Sequence, residues 1–323
     1  MTKLTRRAVL SGASALAIAP TYAPAFAQGG RTITLMHGFT PGANVDLVAR
    51  LVADNLSKRL GQPIVVESRP GAGGTTSAAT VARAAPDGGT LTVLPGGHAV
   101  SAAIYKQLPY NSVADFSFIS MLTDFPFILV TYPDHPAQSI ADVIRTAQAD
   151  EGKLTCATAG NGTGMHLAFE LFVAMAKAKI QHVPYRGSPQ GITDLLAKRI
   201  DFQMDTPTVL LPFIKDGRLR ALATSTAKRI AALPDLPPVA EAIPGYETIT
   251  WQGFLVPAGT PKEIVDRLHA ELIKALKDPE FASRMRGMGL EVYGTTPAEF
   301  SQFIRDENVK WTKVIKATGA RVD

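Results

Sequence analysis

Short apolar runs alternate along this chain with stretches in which apolar residues recur every three or four positions. The runs at 32–36, 64–67, 90–94, 154–157, 180–183, 202–204 and 219–224 are short and β-prone, and predict strands. Between the first two, Leu47, Val48, Leu51, Val52, Leu56 and Leu60 form a helical stripe over 45–60 that Gly61 closes. A second band, Met165, Leu167, Ala168, Leu171, Phe172 and Met175, follows Gly164. Strand and helix in alternation predict an α/β fold with mainly parallel sheets flanked by helices.

Two longer apolar stretches break this rhythm. Residues 116–131 are interrupted by Pro126, and residues 248–257 carry Trp251 and Gly253 at their middle. Long, interrupted strands suit crossings between two lobes. The expected division is 28–124 plus 252–323 for one lobe and 125–251 for the other, with a ligand cleft between them. No fixed-period repeat or low-complexity tract is present.

Two glycine-rich loops follow strands and open helices, one at 39–46 and one at 158–166. Backbone N–H groups at a helix start are unsatisfied and carry partial positive charge, so a loop free of bulky side chains lets a carboxylate or phosphate approach them. Under the two-lobe division these loops belong to opposite lobes and face one cleft, beyond the carboxyl ends of the strands. A third glycine-rich loop, 69–76, either lines the same cleft or forms a structural turn.

Residues 1–27 read as an export signal. Lys3, Arg6 and Arg7 precede a weakly apolar stretch, and Ala25-Phe26-Ala27 matches a cleavage site, placing the mature chain in the periplasm. The paired arginines with Leu10 suit the twin-arginine route, with the general secretory route as the alternative. Removing these three basic groups takes the formal charge from +5 to +2, which gives no nucleic-acid footprint. No remaining stretch approaches the roughly 20 apolar residues of a membrane span. Cys156 is the only cysteine, so no intramolecular disulfide forms, and its apolar setting predicts a buried thiol.

Several residues admit two readings. Asp46 either caps N–H groups or orients the first loop, since an acidic side chain would repel an anion placed against it. Thr158, Asn161 and Thr163 either donate to a carboxylate or satisfy their own turn. Arg186 either makes a bidentate carboxylate contact or is a solvated surface charge, and Asp205 either faces the cleft or caps the helix entered at Pro207. His166 and Glu170 lie one helical turn apart, but H-E-x-x-H is absent, and a capping or packed histidine is the simpler reading. The run 160–165 misses the dinucleotide fingerprint at its final glycine, and neither a P-loop nor a G-x-S-x-G elbow occurs. No cofactor, metal or catalytic residue is therefore assigned.

Ordered motifs along nearly the whole mature chain carry a resemblance. They include Ala49-Arg50, Leu60-Gly61-Gln62-Pro63, Arg69-Pro70-Gly71-Ala72-Gly73-Gly74, Ala85-Pro86-Asp87-Gly88, His182-Val183-Pro184-Tyr185-Arg186-Gly187, Trp251-Gln252-Gly253 and Pro257-Ala258-Gly259-Thr260-Pro261. The chain resembles the Bug-type periplasmic receptors of tripartite tricarboxylate transporters. That resemblance implies a two-lobed, type II-like periplasmic binding protein without a catalytic step. It closes on a small mono- or dicarboxylate, aromatic acids included, and presents it as a monomer to membrane permease subunits. The two loops would grip the ligand through main-chain N–H groups and bound water. Carried over here, with neighbouring candidates, the ligand-binding set is Phe39, Thr40, Gly42, Ala43, Asn44, Asp46, Thr158, Gly160, Asn161, Gly162, Thr163, His166, Arg186 and Asp205. Ala43 stands where the family usually has a second glycine, and His37-Gly38 replaces its commoner entrance to the loop. The alternatives are a ligand sensor feeding a two-component system and a metal-dependent or hydrolytic periplasmic enzyme.

Overall fold

The first apolar run forms β1 (Ile33–His37), and the chain then turns through Gly42, at φ 82°, into α1 (Asn44–Leu60). This strand–turn–helix step comes from a computed structural model that describes residues 30–149 and 152–318; the expected export signal, 1–27, lies outside the described residues. The step recurs as β2 (Ile64–Ser68) to α2 (Thr75–Ala82) and β3 (Thr90–Pro95) to α3 (Gly97–Ile104). β4 (Phe116–Pro126) then leads across Phe127 into β5 (Ile128–Thr131) and α4 (Ile140–Ala149). The βα rhythm resumes with β6 (Thr155–Thr158), α5 (Gly164–Ala176), β7 (Gln181–Pro184), α6 (Ser188–Leu196), β8 (Phe202–Asp205), α7 (Pro207–Lys215) and β9 (Arg220–Thr224). β10 (Ile249–Pro257) returns, followed by α8 (Lys262–Lys277), α9 (Pro279–Gly287), β11 (Glu291–Val292) and α10 (Pro297–Thr318).

Two sheets result, ordered β11-β4-β10-β3-β1-β2 and β7-β6-β8-β5-β9. β1 pairs in parallel with β2 and β3, and β6 with β7 and β8. The sheets are mixed rather than mainly parallel, because the long strands enter antiparallel: β10 against β3 and β4, and β5 against β8 and β9. Ile249 pairs with Pro126, so the two crossings lie side by side where the chain passes between lobes.

Strand alternation divides each lobe's core between two faces. In the first lobe, Val48, Val52 and Leu56 of α1 pack with Leu35, Leu91, Phe254 and α8, while Trp251, Phe118 and α10 fill the opposite face. A Cβ at Gly253 would lie 1.9 Å from the Phe300 ring, so only glycine lets α10 seat against β10. In the second lobe, Cys156 and Phe202 face Phe169 and Phe172 of α5, whereas Ala157 and Val130 face Leu195 and Leu210 of α6 and α7. Cys156 is buried and free, and burial pushes its thiol pKa up.

Candidate functional site

The first loop is shaped by one carboxylate. α1 has Ala43 as N-cap and no side-chain cap, yet Asp46 in its first turn reaches back to accept from the Gly42 N–H at 2.9 Å. The same carboxylate accepts from Arg50 Nε at 3.0 Å and lies 3.1 Å from His37 Nε2. Burial favours the neutral acid, but the Arg50 and Gly42 hydrogen bonds and the neighbouring charges outweigh it and hold Asp46 below its ordinary pKa. Burial lowers the pKa of His37, and its Nδ1 accepts from the Phe39 N–H, so Nε2 carries the proton toward Asp46. Asp46 therefore orients the loop rather than capping the helix. Its charge is spent before it can repel an anion.

The second loop is held mainly by hydroxyls and imidazoles, with no arginine or lysine anchoring it among the described residues. Gly160 and Gly162 turn at φ 118° and 74°, and Thr163 caps α5, its hydroxyl accepting from the His166 N–H at 3.3 Å and donating to the Gly160 carbonyl at 2.7 Å. His166 Nδ1 accepts from the Gly162 N–H at 3.3 Å, which leaves its Nε2 proton toward Glu170, 3.5 Å away. The His182 ring stacks on His166 with centroids 4.4 Å apart and bonds the Thr158 hydroxyl at 2.6 Å. Burial and the adjacent His166 lower the His182 pKa to about 4. His166, Glu170 and His182 place potential metal-ligating atoms within 4.8 Å of one another, but the Gly162 bond commits His166 to the tautomer that protonates Nε2.

Between the loops lies a cleft, about 450 Å³ of unfilled space when the part open to solvent is included. Asn44 and Val45 bring the start of α1 to its wall, Gly97 the start of α3, and Gly164 and Met165 the start of α5. Ser188 and Thr206 add the starts of α6 and α7. Five helix N-termini thus converge on one space. Their dipoles all present positive ends, and among the described residues the N–H groups of Asn44, Val45, Gly164 and Met165 meet no acceptor. Among the described residues no charged side chain lines the cleft; Phe39, Phe125 and Phe127 supply much of the remaining wall.

Of the residues singled out from sequence, Phe39, Ala43, Asn44 and Thr163 line this cleft. Thr40 and Gly42 stand at its edge against α6: a Cβ on Gly187 would fall 1.9 Å from the Thr40 hydroxyl, and one on Gly42 would touch Pro189 at 3.7 Å. Asp46, Thr158 and His166 hold the loops from behind, where Gly160 and Gly162 form the turns of the second. Asn161 is exposed, with its carbonyl against Gly73 of the third glycine-rich loop, and Arg186 is exposed before α6. Asp205 is fully buried beneath the wall, accepting from Gln203 Nε2 and the Thr206 N–H at 2.7 Å each, and burial pushes its pKa up.

The sequence reading left out Ser188, Thr206, Phe125, Phe127, Thr250 and Gln252, all of which line the cleft. Ser188-Pro189 and Thr206-Pro207 are legible helix starts, so the first two carried a signal. The others sit on or between crossing strands and read locally as core.

Residues 48–320 match the profile of the tripartite tricarboxylate transporter family receptor. The chain is 35% identical to the Pseudomonas sp. (strain P51) protein called "UPF0065 protein in tcbD-tcbE intergenic region", over 98% of this chain and 95% of that one. Its fold superposes on R. palustris Rpa4515, solved with adipate, at a TM-score of 0.87 and 34% identity, covering 90% of this chain and 99% of that one. MatC (Rpa3494) from Rhodopseudomonas palustris, solved with bound malate, gives 0.83 at 31% identity, covering 88% and 99%.

Proposed function

Because this chain belongs to the tripartite tricarboxylate transporter receptor family, a family of periplasmic solute-binding proteins, we propose that it captures a small organic carboxylate in the interlobe cleft and presents the closed form to membrane permease subunits. The observation that carries this reading is the convergence of five helix N-termini on a cleft without a charged side chain. Each N-terminus favours an anion by about 0.3–1 kcal/mol at a surface and up to about 2 kcal/mol when partly buried. Closure excludes water and strengthens those contacts, so the closed state is selected by the bound acid.

The relatives solved with adipate and malate support a small carboxylate as the solute. Phe39, Phe125, Phe127 and Met165 suit a hydrocarbon or aromatic body behind the carboxylate. In this reading the leader at 1–27 exports the chain and is cleaved near Ala27, and the receptor acts as a monomer through binding rather than catalysis. Calorimetry on the mature chain is expected to show one-site binding of a carboxylate from a panel of mono-, di- and tricarboxylates and aromatic acids. Binding of inorganic phosphate or sulfate alone, or of nothing by the folded protein, would overturn it.

A further inference from the structure

Two buried amides meet at the cleft wall. Asn44 opens α1 and Gln252 lies on β10; they are 3% and 0% exposed, and both line the cleft. Gln252 Nε2 donates to Asn44 Oδ1 at 2.9 Å, which leaves Asn44 Nδ2 and Gln252 Oε1 without partners. Turning both amides over leaves the same pattern: one NH2 group and one carbonyl oxygen still lack partners. Leaving either buried and unpaired forfeits the hydrogen bond it made to water in the unfolded chain. Phe39, Phe125 and Phe127 form the apolar part of the same wall, and among the described residues no side chain pairs with either atom.

A single group that pairs with both must accept from the Asn44 amide and donate to the Gln252 carbonyl. A hydroxyl does so. An ammonium donates but cannot accept, and it would lie buried with no carboxylate lining the cleft to neutralise it. The Asn44 side chain springs from the start of α1, so an acid whose carboxylate docks at that helix start brings a hydroxyl on a nearby carbon to the amide pair.

We infer that the Asn44–Gln252 amide pair selects acids bearing a hydroxyl close to the carboxylate, over the corresponding deoxy acids and amino acids. This inference rests on the receptor reading above and deepens it. The pair acts as a donor–acceptor gauge, and the helix N-termini supply the affinity for the anion.

The test uses two matched sets on the mature protein: 3-phenylpropionate, 3-phenyllactate and phenylalanine, then succinate, malate and aspartate. In whichever set binds, the hydroxy acid is expected to bind at least about tenfold more tightly than its deoxy partner, with the amino acid weaker still. Asn44→Ala should reduce the hydroxy-to-deoxy ratio to near one, and Gln252→Met, which keeps the volume, should do the same; melting curves report whether each variant folds. Equal affinity of hydroxy and deoxy acids for the native protein, as expected if water fills the gap between the amides, would overturn the inference while leaving the receptor reading intact. Tighter binding of the amino acid would also overturn it. Binding of other carboxylates but of neither set would likewise overturn it, and if no carboxylate binds at all, the receptor reading falls with it.

Discussion

The two glycine-rich loops present the same kind of surface, bare N–H groups at a helix start, but are held in shape by opposite chemistry. The first depends on an ion pair, Asp46 with Arg50, at 2.9 Å. The second depends on neutral groups, the Thr158 and Thr163 hydroxyls and the imidazoles of His166 and His182. The difference teaches where charge can be placed in an anion site. The Asp46 carboxylate is tolerated beside the cleft because it points backward, takes up the Gly42 N–H and is matched by a guanidinium. In the second loop the fold relies on hydroxyls and on a His182 ring whose burial favours the neutral form, and accepts the titration of His182 in acid.

The comparison breaks most completely where both lobes must meet. Gly187 precedes α6 in extended backbone, at φ 173°, so an alanine there adds no backbone strain. Its Cβ would nevertheless collide with Thr40 of the other lobe. Gly187→Ala should therefore hold the lobes apart, weakening carboxylate binding on the order of 100-fold, about 2.7 kcal/mol. Thermal stability of the ligand-free protein should change little. An unchanged affinity by calorimetry would mean that the first loop does not need this contact to close.

A smaller effect tests the ionic half directly. Asp46→Asn removes the charge while keeping the shape, leaving Arg50 without its counter-ion. Breaking a buried pair by removing one partner typically costs about 3–5 kcal/mol, but Arg50 is 54% exposed and water can take over part of its solvation. A loss of about 2 kcal/mol in urea unfolding is expected, with no comparable loss on Thr158→Ala in the second loop. Equal costs would show that the two loops are not differently anchored.

Much of the architecture can be read from the residue pattern because each signal was local. The stripe of α1, its closure at Gly61 and the break at Pro126 need only neighbouring residues to be recognised. Positive φ at Gly42, Gly160 and Gly162 is equally a property of the turn itself. The mixed sheets and most of the cleft wall are not local. Gln252 looks like one polar residue in an apolar strand until β10 is placed against β3 and α1, and the starts of α6 and α7 acquire meaning only when the lobes face each other. Ser188 and Thr206 are visible as helix starts, but nothing near them in the chain says that they share a wall with Asn44.

The neutral loop carries the smallest and most selective prediction, a dependence on pH. His182 has a folded pKa of about 4 against 6.5 for the unconstrained side chain. An opened loop thus binds more protons than the folded one throughout that interval, and stability rises with pH across it. The contribution is complete above about 6.5, falls as pH drops toward 4, and changes no further below that value. In the first loop burial also lowers the pKa of His37, but a proton gained there meets the Asp46 carboxylate at hydrogen-bond distance, whereas at His182 it meets the His166 imidazole, which opposes it, and the Glu170 carboxylate, which offsets only part of the cost. Asp46, held below its ordinary range, stays ionised across the same interval. Between pH 7 and pH 5, amide exchange at Gly160 and Gly162, corrected for intrinsic rates, should lose roughly tenfold in protection, and exchange at Gly42 should lose distinctly less. Whole-protein melting would not isolate this, because buried His98 in the first lobe also titrates near 4. His182→Gln should flatten the profile at Gly160 and Gly162 and leave Gly42 unchanged; parallel profiles for the three glycines in the native protein would remove the distinction between an ionic and a neutral jaw.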